Sequence, residues 1–252
     1  MANASSEASP EDRIATLETE LAQVRAEMQE FTATVSHDLR APLRHIVSYV
    51  QMVQEDAGSL LNDEVQEFLV TITSSARHMG LLLDGLTALS KVGSAPLILE
   101  AVPLQEAVHD ACERLTSKHP QRVVEWQVPA DLPVVLADAA VFQLVLEQLL
   151  GNALKFTAPR ENARIVVSAA PAGQQGHIRL QVKDNGVGYN PAMQAKLFRV
   201  FGRLHSAQQF EGIGMGLVLA QKRLQRMGGT LSIEGVVDGG CCITLTLPMA
   251  PG

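Results

Sequence analysis

Apolar residues near the start of the chain recur with a helical rhythm. From Ile14 they run Ile14, Leu17, Leu21, Val24, Met28, Phe31 and Val35, in alternating steps of three and four. That spacing keeps them on one narrow stripe, with Glu and Arg filling much of the remainder, and predicts a coiled-coil seam. The helix is expected to continue past His37 to about Asp56 and to break at GSLLND, Gly58–Asp63. A second amphipathic helix follows, with Val65, Phe68, Leu69, Ile72, Ala76, Met79, Leu83, Leu86 and Leu89 on one side. Two antiparallel helices cannot bury both stripes alone, whereas pairing with a second copy gives a four-helix bundle. Residues 1–10 read as disordered, and VGSAPL (Val92–Leu97) as a short linker.

Beyond the linker the period changes. Strand-like runs occupy Leu97–Val102, Arg122–Val128, Pro133–Ala137, Arg164–Ala169, His177–Asp184, Thr230–Val236 and Cys241–Leu247. Helix-like runs occupy Leu104–Thr116, Ala139–Phe156 and Gly214–Met227. The order does not repeat β-α-β evenly, which argues against a doubly wound parallel sheet. The prediction is an α+β chain: an antiparallel helical hairpin, then an α/β sandwich whose mixed, largely antiparallel sheet is covered on one face by helices.

Composition narrows the function classes. The 252 residues are 46% hydrophobic and carry a net charge of −7. An acidic chain is a poor candidate for general nucleic-acid binding. No apolar run approaches the roughly 20 residues needed to span a bilayer, so no membrane insertion is expected. The polar start MANASSEASPEDR is not a signal peptide. Cys112, Cys241 and Cys242 show no metal-ligand spacing and read as reduced packing residues of a cytoplasmic protein.

Within the first helix, VSHDLRAPL (Val35–Leu43) brings together a histidine, an acid, arginines and a proline. At about 100° per residue, Val35, Leu39, Leu43, Ile46, Val50 and Val53 form one stripe and His37 faces away from it. Arg40, Ala41, Arg44 and Ser48 fall near His37. Pro42 removes a hydrogen bond, frees the carbonyl of Asp38 and should bend the helix. A solvated surface histidine looks the same. An exposed neutral imidazole is nevertheless a competent nucleophile, and Asp38 can accept one ring N–H and fix the tautomer. Such a nucleophile needs an electrophile.

Downstream, LEQLLGNALKFT (Leu146–Thr157) places Gln148, Asn152 and Lys155 on one helix face, opposite Leu146, Leu149 and Leu150. That face is either solvated or set to meet a metal and phosphate oxygens. VKDNGVGYN (Val182–Asn190) runs a strand into D-x-G-x-G, and EGIGMGLVLAQ (Glu211–Gln221) sets three glycines before a helix. Gly-rich backbone at a helix N-terminus can cradle an anion, although each cluster alone is equally a turn.

Taken together and in order, SHDLRAPL, LLGNALKFT, DNGVG, LFRVF and GIGMGL resemble the kinase core of sensor histidine kinases of two-component signalling. The resemblance covers about residues 30–248. The pairing of HDLRAPL with GRLHS is most similar to phytochrome-type soluble sensor kinases. It implies a disordered tail and coiled-coil signalling helix at 1–30, a dimerisation and histidine phosphotransfer domain at 31–92, a linker at 93–97 and a Bergerat-type ATP-binding domain at 98–250. It implies that His37 takes the γ-phosphoryl group of ATP, with Asp38 as its base. Asn152 would hold Mg²⁺, Lys155 contact phosphate, and Asp184 bind the adenine amino group. Gly186 and Gly188 would line the base pocket, and Gly212, Gly214 and Gly216 form the lid. Phe198 and Phe201 would pack that lid, and Arg203 would lie near a phosphate. The partners implied are a second copy, a response-regulator receiver domain and an upstream sensor.

The chain departs from the family pattern at Gln148, where Asn is usual, and at Ile213, where Thr is common. Ala41, four residues after the histidine, cannot orient a water, so weak phosphatase activity toward the partner is expected. A rival reading is an ATP-hydrolysing machine of the gyrase type, which needs a Glu at position 148; here Glu147 is rotated about 100° away. A second rival is a non-catalytic dimeric adaptor with a degenerate ATP site, whose mark would be the loss of His37, Asn152 or Asp184. All three are present.

Overall fold

The computed structural model describes residues 9–93, 95–206 and 208–251. They fall into two compact units divided between Ala95 and Pro96. Of the stretch 1–10 expected to be disordered, residues 1–8 lie outside the described residues. Ser9 and Pro10 instead cap and begin the first helix.

The first unit is a helical hairpin. α1 (Pro10–Ala57) and α2 (Asp63–Val92) are joined through a 3₁₀ turn at Gly58–Leu60. Ser9 Oγ accepts the Asp12 N–H while the Asp12 carboxylate accepts the Ser9 N–H, which satisfies two otherwise orphaned donors. Asn62 caps α2 by accepting the Val65 N–H at 2.9 Å. α1 runs on through Pro42. Between the helices Val50, Ala76 and Leu83 are buried, as is Ser36, whose hydroxyl accepts from Thr87 Oγ1 at 3.0 Å. The apolar stripe divides: Val50 faces inward, whereas Leu39, Ile46 and Val53 are exposed. The seam from Ile14 to Phe31 is exposed along its length.

The second unit contains β1 (Glu100–Pro103), α3 (Leu104–Lys118), β2 (Glu125–Gln127), β3 (Val134–Ala137), α4 (Ala139–Phe156), β4 (Arg164–Pro171), β5 (His177–Asp184), α5 (Gly216–Arg226), β6 (Thr230–Val236) and β7 (Gly240–Pro248). β1 and β3 form a separate antiparallel ribbon. The main sheet has the order β2-β4-β5-β7-β6. Only β2–β4 is parallel, so the sheet is mixed and largely antiparallel. α4 packs between α3 and α5 over this sheet. Strand alternation sends Ile178, Leu180 and Val182 of β5 and Ile243, Leu245 and Leu247 of β7 toward Phe142, Leu146, Leu149 and Leu150 of α4. The same register carries Asp184, two residues past Val182, to the inner face.

In this unit three element starts differ from the sequence reading by more than one residue. β1 begins at Glu100 rather than Leu97 because the Ile98 N–H donates to the Asp138 carboxylate at 3.0 Å, where Asp138 also caps α4. β2 starts late because Arg122 still closes a turn onto His119. α5 starts at Gly216 because Gly214, at φ 73°, lies outside helical backbone space. Among the described residues no helix is long and apolar enough to cross a membrane.

Candidate functional site

His37 stands on the outer face of α1 with its side chain 85% exposed. Its Nδ1 lies 3.2 Å from Asp38 Oδ1. A carboxylate only accepts, so Nδ1 carries the hydrogen and Nε2 keeps its lone pair in the neutral ring. Arg40, expected to be near His37, is instead drawn to α2: its Nη2 lies 2.7 Å from Asp84 Oδ1. Ser36, beside His37 in sequence, is pinned to Thr87. The histidine therefore sits on a stretch of α1 that is tied to α2 on either side of it.

The α/β unit gathers the other predicted residues into three groups. In the first, Asp184 is buried at the end of β5, and its Oδ1 accepts the N–H of Gly186 at 2.8 Å and of Cys241 at 3.2 Å. Oδ2 accepts neither. Burial pushes the carboxyl above the usual range, and the two backbone donors pull it part of the way back. Gly188 adopts φ 60°, and a Cβ there would run into the Val236 carbonyl. A flat ligand could approach this backbone closely.

In the second group, Gln148, Asn152 and Gly216 meet. Gln148 Nε2 donates to Asn152 Oδ1 over 3.4 Å, a weak bond. The Gln148 amide also lies against the Cα of Gly216, where a Cβ would displace it. The extra methylene of Gln relative to the family's Asn is accommodated because residue 216 has no side chain. Met215, the N-cap of α5, offers no side-chain acceptor to the first turn, which leaves amides available to an anion.

In the third group, Lys155 Nζ donates to the Glu211 carbonyl at 3.3 Å and lies 4.4 Å from the centre of the Phe156 ring. Burial lowers its pKa, with the Arg203 charge second and Glu211 opposing both. Arg203 grips the Gly212 and Phe210 carbonyls at 2.5 and 2.6 Å. Its guanidinium therefore staples the lid backbone. Phe198 packs half-buried on the core. Phe201 is 37% exposed at φ 62°, and Gly214 abuts the Phe201–Gly202 backbone.

Several contributors have no site role in the sequence reading. Arg160 donates Nε to the Asn185 carbonyl at 2.9 Å and Nη2 to the carbonyls of Gly186 at 3.0 Å and Asp238 at 2.9 Å. It clamps the loop after β5 to the β6–β7 turn. His205, the histidine of GRLHS, has Nε2 3.0 Å from the Gly188 carbonyl. Its ring packs on Phe156 and Phe210, with centroids at 5.4 and 5.2 Å. Glu147 is held by Arg114 at 3.0 Å and Lys118 at 3.3 Å on α3. A carboxylate so paired is not placed to activate a water, which weighs against the hydrolytic reading. Burial pushes the Cys241 thiol up to about 12, so it stays protonated behind the site.

Comparison with known proteins finds two domain families along this chain. Residues 27–95 match the His Kinase A (phospho-acceptor) domain, and residues 137–251 match the histidine kinase-, DNA gyrase B- and HSP90-like ATPase. The chain is 30% identical over 244 residues to cyanobacterial phytochrome B of a Nostoc species, covering 94% of this chain and 31% of that protein. It is 32% identical over 223 residues to the methanogenesis regulatory histidine kinase FilI of Methanothrix harundinacea, covering 88% and 25%. It therefore spans about a third or less of these relatives' length. Full-length ShkA, solved in complex with AMPPNP, superposes with a TM-score of 0.62 at 25% identity, over 88% of this chain and 46% of that one. A mycobacterial sensor histidine kinase, MprB, shares the fold with a TM-score of 0.53 at 24% identity, over 62% and 100%. With a phosphoacceptor domain and a kinase-type ATPase domain in this order, and with phytochrome-type kinases among its relatives, the chain belongs to the sensor histidine kinases.

Proposed function

We propose that this chain is an ATP-dependent protein histidine kinase that autophosphorylates on His37 and passes the phosphoryl group to an aspartate of a response-regulator receiver domain. The observation that carries this reading is the exposed imidazole whose Nδ1–H is held by Asp38, leaving Nε2 as the nucleophile. Nε2 forms the bond to the γ-phosphorus as the bond to the ADP oxygen breaks, and Asp38 takes the Nδ1 proton that the ring then sheds. Residues 31–92 act as the dimerisation and phosphotransfer domain and 98–250 as the catalytic domain, joined by 93–97.

In the catalytic domain Asp184, with Oδ2 available, takes the adenine amino group, and Gly186 and Gly188 line the base. Lys155 and the lid glycines Gly212, Gly214 and Gly216 take the phosphates. Arg203 holds the lid. Asn152 offers a half-buried amide oxygen that only a weak bond occupies, which suits a hard cation. It would hold Mg²⁺, which neutralises phosphate charge when bound. The exposed seam from Ile14 to Phe31, continued by the exposed Leu39, Ile46 and Val53, supports a homodimer with a coiled coil at its start. The unpaired cysteines support a cytoplasmic setting. A sensor domain or sensor protein upstream is the proposed source of the signal.

The test is incubation with γ-labelled ATP and Mg²⁺, comparing the native chain with His37→Gln. Acid-labile, base-stable label on the native protein alone is the expected result. Label retained in His37→Gln would assign another acceptor, and no label despite nucleotide binding would return the chain to the adaptor reading.

A further inference from the structure

We infer that His205 is a positioning residue of the nucleotide site, tying the base-pocket loop to the lid. The inference rests on the proposed kinase reading of the same site. Two independent contacts carry it. The first is polar. The Gly188 carbonyl only accepts, so the 3.0 Å contact fixes the hydrogen on His205 Nε2. Gly188 is the residue whose positive φ lets the chain turn beneath the base pocket, and His205 holds that turn from the lid side.

The second contact is apolar. The His205 ring completes a three-ring cluster with Phe156 and Phe210, whose own centroids lie 5.0 Å apart. Such tilted and edge-on arrangements are favourable for aromatic pairs. Phe156 ends α4, the helix that bears Asn152 and Lys155. Phe210 adjoins Glu211, whose carbonyl receives Lys155. One imidazole thus touches the base loop, the end of α4 and the lid at once. Neither ring nor hydrogen bond alone spans all three, which accounts for a histidine here rather than a phenylalanine or an amide.

Separating the two contacts tests the idea. His205→Phe keeps the ring and loses the donor. His205→Gln keeps a donor at similar reach and loses the ring. Losing one neutral hydrogen bond should raise the KM for ATP about three- to tenfold. In His205→Phe, kcat should hold and the preference for ATP over GTP should narrow, because the base loop is what loosens. His205→Gln should recover the base preference but not the lid, seen as faster amide exchange at residues 208–216. Amide exchange in the nucleotide-free chain provides the second readout: residues 186–188 should exchange faster in His205→Phe than in the native protein. Equal exchange there, or a His205→Phe variant with native KM and base preference, overturns the inference. If the native chain binds no ATP at all, the kinase reading falls, whereas the exchange comparison still decides the role of His205.

Discussion

The two units solve the burial problem in opposite ways. In the α/β unit both the sheet and the helices have an apolar face, and the faces cover each other within one chain. Phe142, Leu146, Leu149 and Leu150 of α4 and Leu245 of β7 are fully buried. The hairpin has only two helices, and each can hide one side from the other. Among its described apolar residues only Val50, Ala76 and Leu83 are buried, while Leu17, Phe31, Tyr49 and Phe68 stay more than half exposed. The α/β unit is complete as a single chain. On the proposed homodimer reading the hairpin is half of a larger bundle, and the physical reason for the contrast is the number of layers each unit can stack.

The strongest way to break this contrast is a charge in the seam. Ile46→Glu should cost several kcal/mol of assembly, of the order of 3–5 kcal/mol for an uncompensated charge buried against a partner copy. Sedimentation should then show a monomer, with the helical signal reduced. A dimer of native stability would refute the reading of this face. The hairpin's melting should also depend on protein concentration, whereas that of the α/β unit should not.

A cavity in the other unit should do the reverse. Phe142→Ala is expected to cost about 3–5 kcal/mol. Trp126, the only tryptophan in the chain, lies in that unit, so its fluorescence can follow the loss separately. Unchanged hairpin melting in the same variant would sharpen the division at Ala95.

Next in size is the clamp. Arg160→Lys keeps the charge but cannot fork between three carbonyls, so ATP affinity should fall about tenfold with little change in Tm. Calorimetric titration with ATP checks it, and native affinity would leave Arg160 a surface residue.

Asp184→Asn sets function against stability. Oδ1 of the amide can still accept both backbone donors, but its NH₂ cannot accept from an adenine amino group, so ATP binding should be lost. The native carboxyl has its folded pKa raised above 3.8. A raised acid pKa means the folded state binds the proton more tightly, so native stability falls as pH rises through that window. The Asn variant should therefore be the more stable at neutral pH. The advantage should shrink as pH drops and vanish below the ordinary carboxylate value. A variant less stable than native at pH 7 would contradict this.

The smallest effect belongs to Arg40. Its pair with Asp84 is exposed on both sides, so Arg40→Ala should change hairpin stability by no more than about 0.5 kcal/mol. A larger loss in thermal melting would mean the pair does more than decorate the surface beside His37.

Legibility in the sequence followed the range of the interactions. His37, Asn152, Asp184 and the glycines lie in short motifs because their geometry is local: one turn of helix, a strand end, a positive-φ step. The roles of Arg160 and His205 were not legible, although His205 lies in the GRLHS motif. Arg160 reaches carbonyls 25 to 78 residues away, and nothing around it distinguishes it from a solvated arginine. His205 meets Gly188 and Phe156 only after the lid folds back over α4.

The sequence by itself determined the helical seam, the strand alternation, the order of the motifs and the outward direction of His37. Each follows from a backbone period of 3.6 or 2 and from which residues avoid water. Only the tertiary structure decided that Arg203 staples the lid, that Glu147 is held by α3, that Gln148 fits because residue 216 is glycine, and that β1 yields its first residues to the cap of α4. Those outcomes depend on which donors and acceptors meet across the fold, and no local period encodes that.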